Sequence, residues 1–162
     1  MSKDQNQDLL TFLEPFPKTT QDIALWLRDF VWDLFPEANE LIYDNYNAVA
    51  FGWSLTDKIG HLFCTIAVGR SNYQVQFGFY WGSALTDPAK MLQGKGTQYR
   101  YIVVKDIDSF PKDYMVALLM EAQVHALARV KDPKQIIQGQ TIVKSISEKK
   151  RLPGKNNKKG SR

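Results

Sequence analysis

The sequence predicts an α+β fold, in which an antiparallel sheet of meander order carries helices from both ends of the chain on one face. Apolar residues recur every three to four positions in residues 19–34 and again after Pro111, and every second position in between. The links between the alternating segments are short, which favours antiparallel neighbours because parallel strands need a long crossover. Helices that flank such a meander are typical of a two-layer α+β domain.

The first predicted helix begins at Thr19 or Thr20, whose hydroxyl groups accept hydrogen bonds from the free amides of a helix start. Pro36 has no amide proton, so we expect the helix to end near Phe35. A second short turn is predicted from residue 37 to about residue 43. The apolar stripe of the helix repeats at steps of three and four and consists of Ile23, Leu27, Phe30, Val31 and Leu34.

Four strands are predicted in the middle of the chain, where large apolar residues alternate with small or polar ones. The first two cover residues 48–55 and 62–68, and the fourth covers residues 99–105. The third strand alternates most clearly, and its residues assigned to packing are Tyr73, Phe77, Phe79 and Trp81. A helix follows Pro111, with a buried stripe made of Met115, Leu118, Leu119, Ala122 and Ala126.

The net charge of +4 is distributed unevenly along the chain. The segment Lys144–Arg162 carries eight basic side chains and one acidic one, whereas residues 1–143 carry 13 basic and 16 acidic ones. We therefore expect a single domain over residues 1–143 and a basic, disordered tail over residues 144–162, which has few large apolar residues to bury. Such a tail either binds nucleic acid by counterion release or only keeps the protein in solution.

The cysteine count and the chain start indicate a cellular compartment. A single cysteine, Cys64, excludes an internal disulfide framework, and the polar start MSKDQN has no apolar segment of the kind found in signal peptides. No stretch approaches the roughly 18 consecutive apolar residues that a membrane-spanning helix needs. We expect a cytoplasmic protein that does not enter the membrane.

The run FYWGSALTDPAKMLQGKGTQYRYIVV, residues 79–104, resembles the YdhG-like domain family, which is catalogued as a domain of unknown function. The resemblance covers about residues 9–128. The chain departs from the family at Thr97, where a lysine is common, and at residues 45–48, where a Gly and a Pro are common. The matching positions are Phe79, Gly82, Leu85, Asp87, Pro88, Leu92, Gly94, Gly96, Arg100, Tyr101 and Ile102.

The resemblance implies an antiparallel sheet flanked by helices, and it offers no established activity for most members. Some bacterial relatives are regarded as frataxin-like iron chaperones, which makes iron a possible cofactor. Four acidic residues at steps of four, four and three would form a ridge on one uninterrupted helix, and carboxylates hold hard cations such as ferrous iron. The competing interpretation is a solvated helix face, interrupted at Pro36. The four residues are Asp29, Asp33, Glu37 and Glu40.

The stretch QGKGTQYR, residues 93–100, has two glycines and a lysine like a phosphate loop. A nucleotide-hydrolase loop needs four residues between its glycines and a helix after them. Gly94 and Gly96 are one residue apart and lead into a strand, so we expect them to supply positive φ angles in a tight connection. Arg100 shares a predicted strand face with apolar residues, so we expect an acidic partner there, with an anionic ligand as the alternative.

No catalytic set is predicted. His61 and Cys64 are three residues apart on a predicted strand, so they point to opposite faces. His125 and Cys64 are expected to be packed in the interior, and no serine stands in a G-x-S-x-G motif.

We therefore predict a non-catalytic binding module for a small ligand or a protein partner. The candidate ligand-binding residues are Tyr80, Arg100, Gly94 and Gly96. Among them, Tyr80 is expected to point away from the packed aromatic residues towards an open groove. The alternatives are frataxin-like iron binding through Asp29, Asp33, Glu37 and Glu40, and nucleic-acid association through Lys144–Arg162.

Overall fold

The computed structural model describes residues 6–154, and within them the fold is α+β with an open, mostly antiparallel sheet of six strands. This confirms the α+β class and the mostly antiparallel sheet of the prediction. The helices are α1 (Gln7–Leu13), α2 (Lys18–Leu34) and α3 (Lys112–Arg129). The strands are β1 (Asn39–Asp44), β2 (Ala48–Ser54), β3 (Leu62–Gly69), β4 (Val75–Phe79), β5 (Arg100–Val103) and β6 (Thr141–Ile146).

The sheet order is β5-β4-β3-β2-β1-β6. Strands β1 to β5 form an antiparallel meander, and β6 joins the free edge of β1 in parallel. The register aligns residues across the strands, and because side chains alternate along a strand, each aligned row belongs to one face. One row that belongs to the packed face is Val143, Ile42, Phe51, Ile66, Phe77 and Ile102.

Helices α2 and α3 contribute their apolar residues to the same core as this row. Helix α2 contacts β3 and β4, and α3 contacts β3. Phe30 of α2 meets Phe77 edge to face at 6.5 Å between ring centroids, and Trp32 meets Trp53 at 5.9 Å. The stripe predicted for α3 is buried as expected.

Strand β1 replaces the turn predicted from residue 37 to residue 43. Its acidic residue Glu40 is fully buried and forms two hydrogen bonds with Arg28 of α2, from Nε to Oε2 at 2.7 Å and from Nη2 to Oε1 at 2.8 Å. Such a two-point ion pair satisfies the carboxylate inside the protein. The turn prediction failed because this long-range partner allows an acidic residue to lie on a buried strand.

Strand β6 lies partly in the segment predicted to be a disordered tail. The expected boundary after residue 143 falls inside the strand, because β6 extends to Ile146 and pairs with β1 through Asp44. The chain after β6 is hydrogen-bonded to β1 and the turn that follows it. Lys150 Nζ donates to Asp44 Oδ2 at 2.8 Å, and the Arg151 amide donates to the Tyr46 carbonyl at 2.9 Å. The boundary of the structured domain therefore lies later than predicted, and residues 155–162 of the tail fall outside the described part.

The beginning of the chain also differs from the expectation. Helix α1 is an additional element that buries Leu9 and Leu13, and Asn6 caps it by accepting from the Leu9 amide at 3.0 Å. Helix α2 begins at Lys18 after Pro17, without a side-chain cap, so Thr20 is a buried helix residue and does not cap the helix. Within residues 6–154, no helix has both the length and the apolar character to cross a membrane.

Candidate ligand-binding groove

The face of the sheet opposite the aromatic row has a floor of small side chains. Ala50 of β2 lies beside Ala67 of β3, and Gly52 lies beside Thr65 in the next aligned row. These positions alternate with Phe51 and its neighbours, so they point away from the packed face. Small residues in two adjacent central strands leave a depression above the backbone.

Three tyrosines stand around this floor and turn the depression into a groove of about 370 Å³. Tyr43 comes from β1, Tyr80 follows β4, and Tyr99 precedes β5. The lining contains no acidic or basic side chain among the described residues, so the groove is neutral and largely apolar. Its remaining lining residues are Asn45, Ala50, Phe51, Gly52, Ile59, Leu62, Thr65, Ala67 and Gln76.

Tyr99 forms one wall because β4 has a glycine beneath it. A Cβ atom at Gly78 would lie 2.3 Å from the Tyr99 hydroxyl oxygen, so only glycine allows the ring to lie on the sheet here. The hydroxyl donates to Gln76 Oε1 at 3.2 Å, and the ring stacks on Tyr101 at 5.6 Å. Burial raises the pKa of Tyr99 to about 12. This wall is therefore fixed in place and stays neutral at physiological pH.

Tyr43 presents the unusual polar group of the groove. Its hydroxyl oxygen is buried and has no hydrogen-bond partner. Burial, with a smaller contribution from Tyr80 nearby, raises the pKa of Tyr43 above its usual range. An unsatisfied buried hydroxyl costs about 1–3 kcal/mol. A molecule that accepted a hydrogen bond from this hydroxyl would recover that free energy.

The four residues predicted to bind a ligand are divided between two places. Tyr80 lines the groove, as expected for a residue on the open face. Arg100, Gly94 and Gly96 are absent from the groove lining and lie together at the connection into β5. Arg100 Nη1 donates to the Gly96 carbonyl at 2.6 Å and to the Tyr99 carbonyl at 2.8 Å. The structure therefore places Tyr80 in the groove lining and the other three candidate residues in a separate loop.

The glycine loop itself corresponds only in part to the prediction. Gly94 has φ +131°, in the range that favours glycine, and a Cβ there would lie 2.9 Å from the Tyr99 carbonyl. Gly96 has no positive φ and open space around it, so it is not required by conformation. The acidic partner expected for Arg100 is not found within residues 6–154, because backbone carbonyls accept its hydrogen bonds instead.

The four carboxylates predicted as an iron-binding ridge do not lie on one surface. Asp29 and Asp33 are on α2, Glu37 is exposed in the following loop, and Glu40 is buried on β1 against Arg28. Across residues 6–154, no group of three or more His, Cys, Asp or Glu side chains is arranged to hold a metal ion. The ridge required an uninterrupted helix, which ends at Leu34.

The cysteine and the two histidines take structural positions. Cys64 is fully buried, and burial raises its pKa well above the usual range, which keeps the thiol protonated and unreactive. His61 Nδ1 lies 2.7 Å from Thr56 Oγ1 in the turn before β3. His125 Nε2 lies 3.9 Å from Glu121 Oε2 on α3, with a third of its side chain exposed, so it is less enclosed than predicted.

The basic residues after residue 143 are mostly engaged within the domain where they are described. Lys144 Nζ donates to the Asp57 carbonyl at 2.9 Å, Lys150 pairs with Asp44, and Arg151 Nη1 donates to Asn47 Oδ1 at 3.3 Å. Lys150 and Arg151 border a wide cleft of about 640 Å³ beside Tyr46. The predicted nucleic-acid contact through Lys144–Arg162 therefore depends chiefly on the residues beyond 154, outside the described part.

Sequence reasoning missed Tyr43 and Tyr99 as groove residues. Tyr43 was assigned to a turn, so its face on a strand was not considered. Tyr99 was placed on a strand, but its position over Gly78 depends on the register between β4 and β5. Gly78 is aligned with Tyr101, so its contact with Tyr99 is diagonal, and no directly aligned pair of residues would have identified Tyr99. Comparisons with known proteins find no family model, no curated protein and no solved structure that matches this chain.

Proposed function

We propose that this protein is a non-catalytic module that binds a small, uncharged, largely apolar molecule in the tyrosine-lined groove. The observation that carries the proposal is the unpartnered hydroxyl of Tyr43 at the wall of that groove. Binding sites for small molecules are typically apolar hollows with a few polar groups that orient the ligand.

The size and lining of the groove define the class of ligand. A volume of about 370 Å³ is near the lower end of the range for small-molecule sites, about 300–1,000 Å³. The flat floor of Ala50, Gly52 and Ala67 suits a planar molecule of one or two rings. Tyr80 and Tyr99 offer aromatic edges and faces to such a ring.

The electrostatics of the groove favour a neutral ligand. Its described lining carries no charged side chain, and burying an unpaired charge there would be strongly unfavourable. Its polar groups are hydroxyls and amides, from Tyr43, Thr65 and Gln76 among others. The Tyr43 hydroxyl is a free donor, so the ligand should carry a carbonyl or ether oxygen as acceptor.

The proposal includes the predicted arrangement in which the helices cover one face of the sheet and leave the other open. The contacts of Phe30 with Phe77 and of Trp32 with Trp53 support it. Membership of the YdhG-like family, the cytoplasmic location and the frataxin-like iron alternative stay predictions from the sequence. We give ligand binding precedence over iron because Glu40 is already paired with Arg28.

Coumarin, a flat, uncharged molecule with a carbonyl acceptor, is a suitable first probe. We expect it to bind at up to millimolar concentration, with NMR amide shifts concentrated at Ala50, Ala67 and Gly78. The substitution Ala67→Leu fills the groove and should abolish these shifts. The matched change Ala84→Leu, at an exposed alanine outside the groove, should preserve them.

A second pair of measurements tests the role of the Tyr43 hydroxyl. Tyr43→Phe should weaken coumarin binding about 2–10-fold, which corresponds to one neutral hydrogen bond. Naphthalene has no acceptor oxygen, so its binding should be unaffected by the same substitution. Absence of binding by both probes, or binding that persists in Ala67→Leu, would contradict the proposal.

A further inference from the structure

Helix α3 is apolar on two sides. Its inner side is buried and supplies Met115, Leu118, Leu119, Ala122 and Ala126 to the core. Its outer side nevertheless exposes three large apolar residues, Met120 at 43%, Val124 at 65% and Leu127 at 56%. A helix that only covers a sheet usually has a polar outer face. The outer side of α3 therefore has the composition of a surface that another element covers.

The spacing of the exposed residues on this side is that of a helix–helix contact. Five exposed residues of α3 follow one another at steps of four, three, four and three, which is the spacing of core positions in coiled coils, and the exposed Lys131 comes just beyond the end of the helix. We call this row the outer seam: Asp113, Ala117, Met120, Val124, Leu127 and Lys131.

We propose that the outer seam binds the same seam of a second copy of this chain, with the two α3 helices antiparallel about a two-fold axis near residue 122. In this register Met120 faces Val124 of the other copy, and Ala117 faces Leu127. The second pair places a small residue opposite a large one, which allows the side chains to interdigitate. The apolar surface also extends from Met120 into a hollow of about 310 Å³ beside Leu34 and Ile136.

The charges at the two ends of the seam select the antiparallel orientation. Asp113 is at the start of α3, and Lys131 lies two residues beyond its end at Arg129. An antiparallel pair brings Asp113 of each copy to Lys131 of the other. A parallel pair would instead bring like charges together at both ends, which is destabilising.

The expected complex is weak, because a single pair of helices forms the contact. Helix α3 has 18 residues and is about 27 Å long. A contact of one helix from each copy belongs to the small, transient class of interfaces, so we expect a weak, reversible dimer. No residue of α3 lines the tyrosine groove, so this inference is independent of the proposed ligand binding.

Sedimentation equilibrium of the full chain over a range up to about 1 mM tests the inference, with a monomer–dimer equilibrium as the expected result. Val124→Asp should weaken the dimer at least tenfold without altering the fold, since Val124 is well exposed. The matched control is Ile146→Asp, a residue 63% exposed on the edge strand β6, and it should leave the dimer intact. A monomer at every concentration, or a dimer lost only in the control, would overturn the inference.

Exchanging the end charges tests the orientation. Asp113→Lys alone and Lys131→Asp alone should each weaken the dimer, because each places like charges opposite one another. The double substitution should restore it in the antiparallel pair. Failure of the double variant to recover dimerisation would exclude this register.

Discussion

The two faces of the sheet are formed by the same strands but differ in almost every physical property. One face carries large rings in edge-to-face contact, such as Phe77 with Phe79 at 5.8 Å and with Phe110 at 5.4 Å. The other face has Ala50 and Ala67 at its centre and tyrosines at its margin. The first face holds the fold together, and the second leaves space for another molecule.

This difference separates the residues that stabilise the fold from those that line the groove. Residues i and i+1 of a strand point to opposite faces, so neighbouring positions contribute to different tasks. Phe77 contacts Phe30 of α2, whereas Gln76 accepts a hydrogen bond from Tyr99 in the groove wall. A slip of one residue in register would exchange the residues of the packed face with those of the groove face. The apolar row therefore also fixes the position of the groove residues.

The largest expected effect is on the packed face. Phe77→Ala removes a fully buried ring and should lower the free energy of unfolding by about 3–5 kcal/mol. The adjacent change Gln76→Ala, on the open face, should lower it by only about 1–2 kcal/mol, since it removes two partly exposed side-chain hydrogen bonds, one from Tyr99 and one to Gln74. Urea denaturation followed by circular dichroism measures both, and equal effects at the two positions would contradict the division between the faces.

The packed face could be predicted from the sequence because alternation is a local property. The large buried residues of β2, β3 and β4 other than Phe63 follow from the period-two pattern, and those of α3 follow from steps of three and four. Strand β1 could not be predicted, since Glu40 is tolerated on it only through Arg28. Strand β6 was missed because its basic and polar residues resemble those of the tail that follows.

The groove was less predictable than the core because it is assembled from distant parts of the chain. Tyr80 was found from its position opposite the packed residues. Tyr43 and Tyr99 reach the same place only after β1 and β5 take their positions in the sheet. Arg100 became a candidate because it shares a predicted strand face with apolar residues, whereas in the structure its guanidinium donates to a carbonyl of the glycine loop.

A smaller effect is expected from the groove wall at alkaline pH. The pKa of Tyr99 is raised from 10.0 to about 12 in the folded protein. Its neutral form therefore contributes stability that is fully present below pH 10 and is lost as the pH rises through 12. Two pKa units correspond to about 2–3 kcal/mol. The substitution Tyr99→Phe should remove this part of the loss of stability at alkaline pH.

The free energy of unfolding of the wild type and of Tyr99→Phe is measured between pH 8 and pH 12.5, and the difference between the two proteins is compared across this range. The matched control is Tyr46→Phe, an exposed tyrosine outside the groove, whose curve should follow that of the wild type. Parallel curves for wild type and Tyr99→Phe would show that the Tyr99 hydroxyl titrates normally and is not enclosed.

The smallest expected effect is produced by enlarging a side chain on the open face. Ala67→Leu places three additional carbons in the groove, where there is free volume, so the free energy of unfolding should change by less than about 0.5 kcal/mol. The same change at Ala24, which is fully buried on α2, should cost about 1–3 kcal/mol because the core has no room for it. Thermal and urea unfolding of the two variants compare the faces directly. A large loss of stability in Ala67→Leu would mean that the groove is filled by the protein itself, and the site proposed for a ligand would then be part of the core.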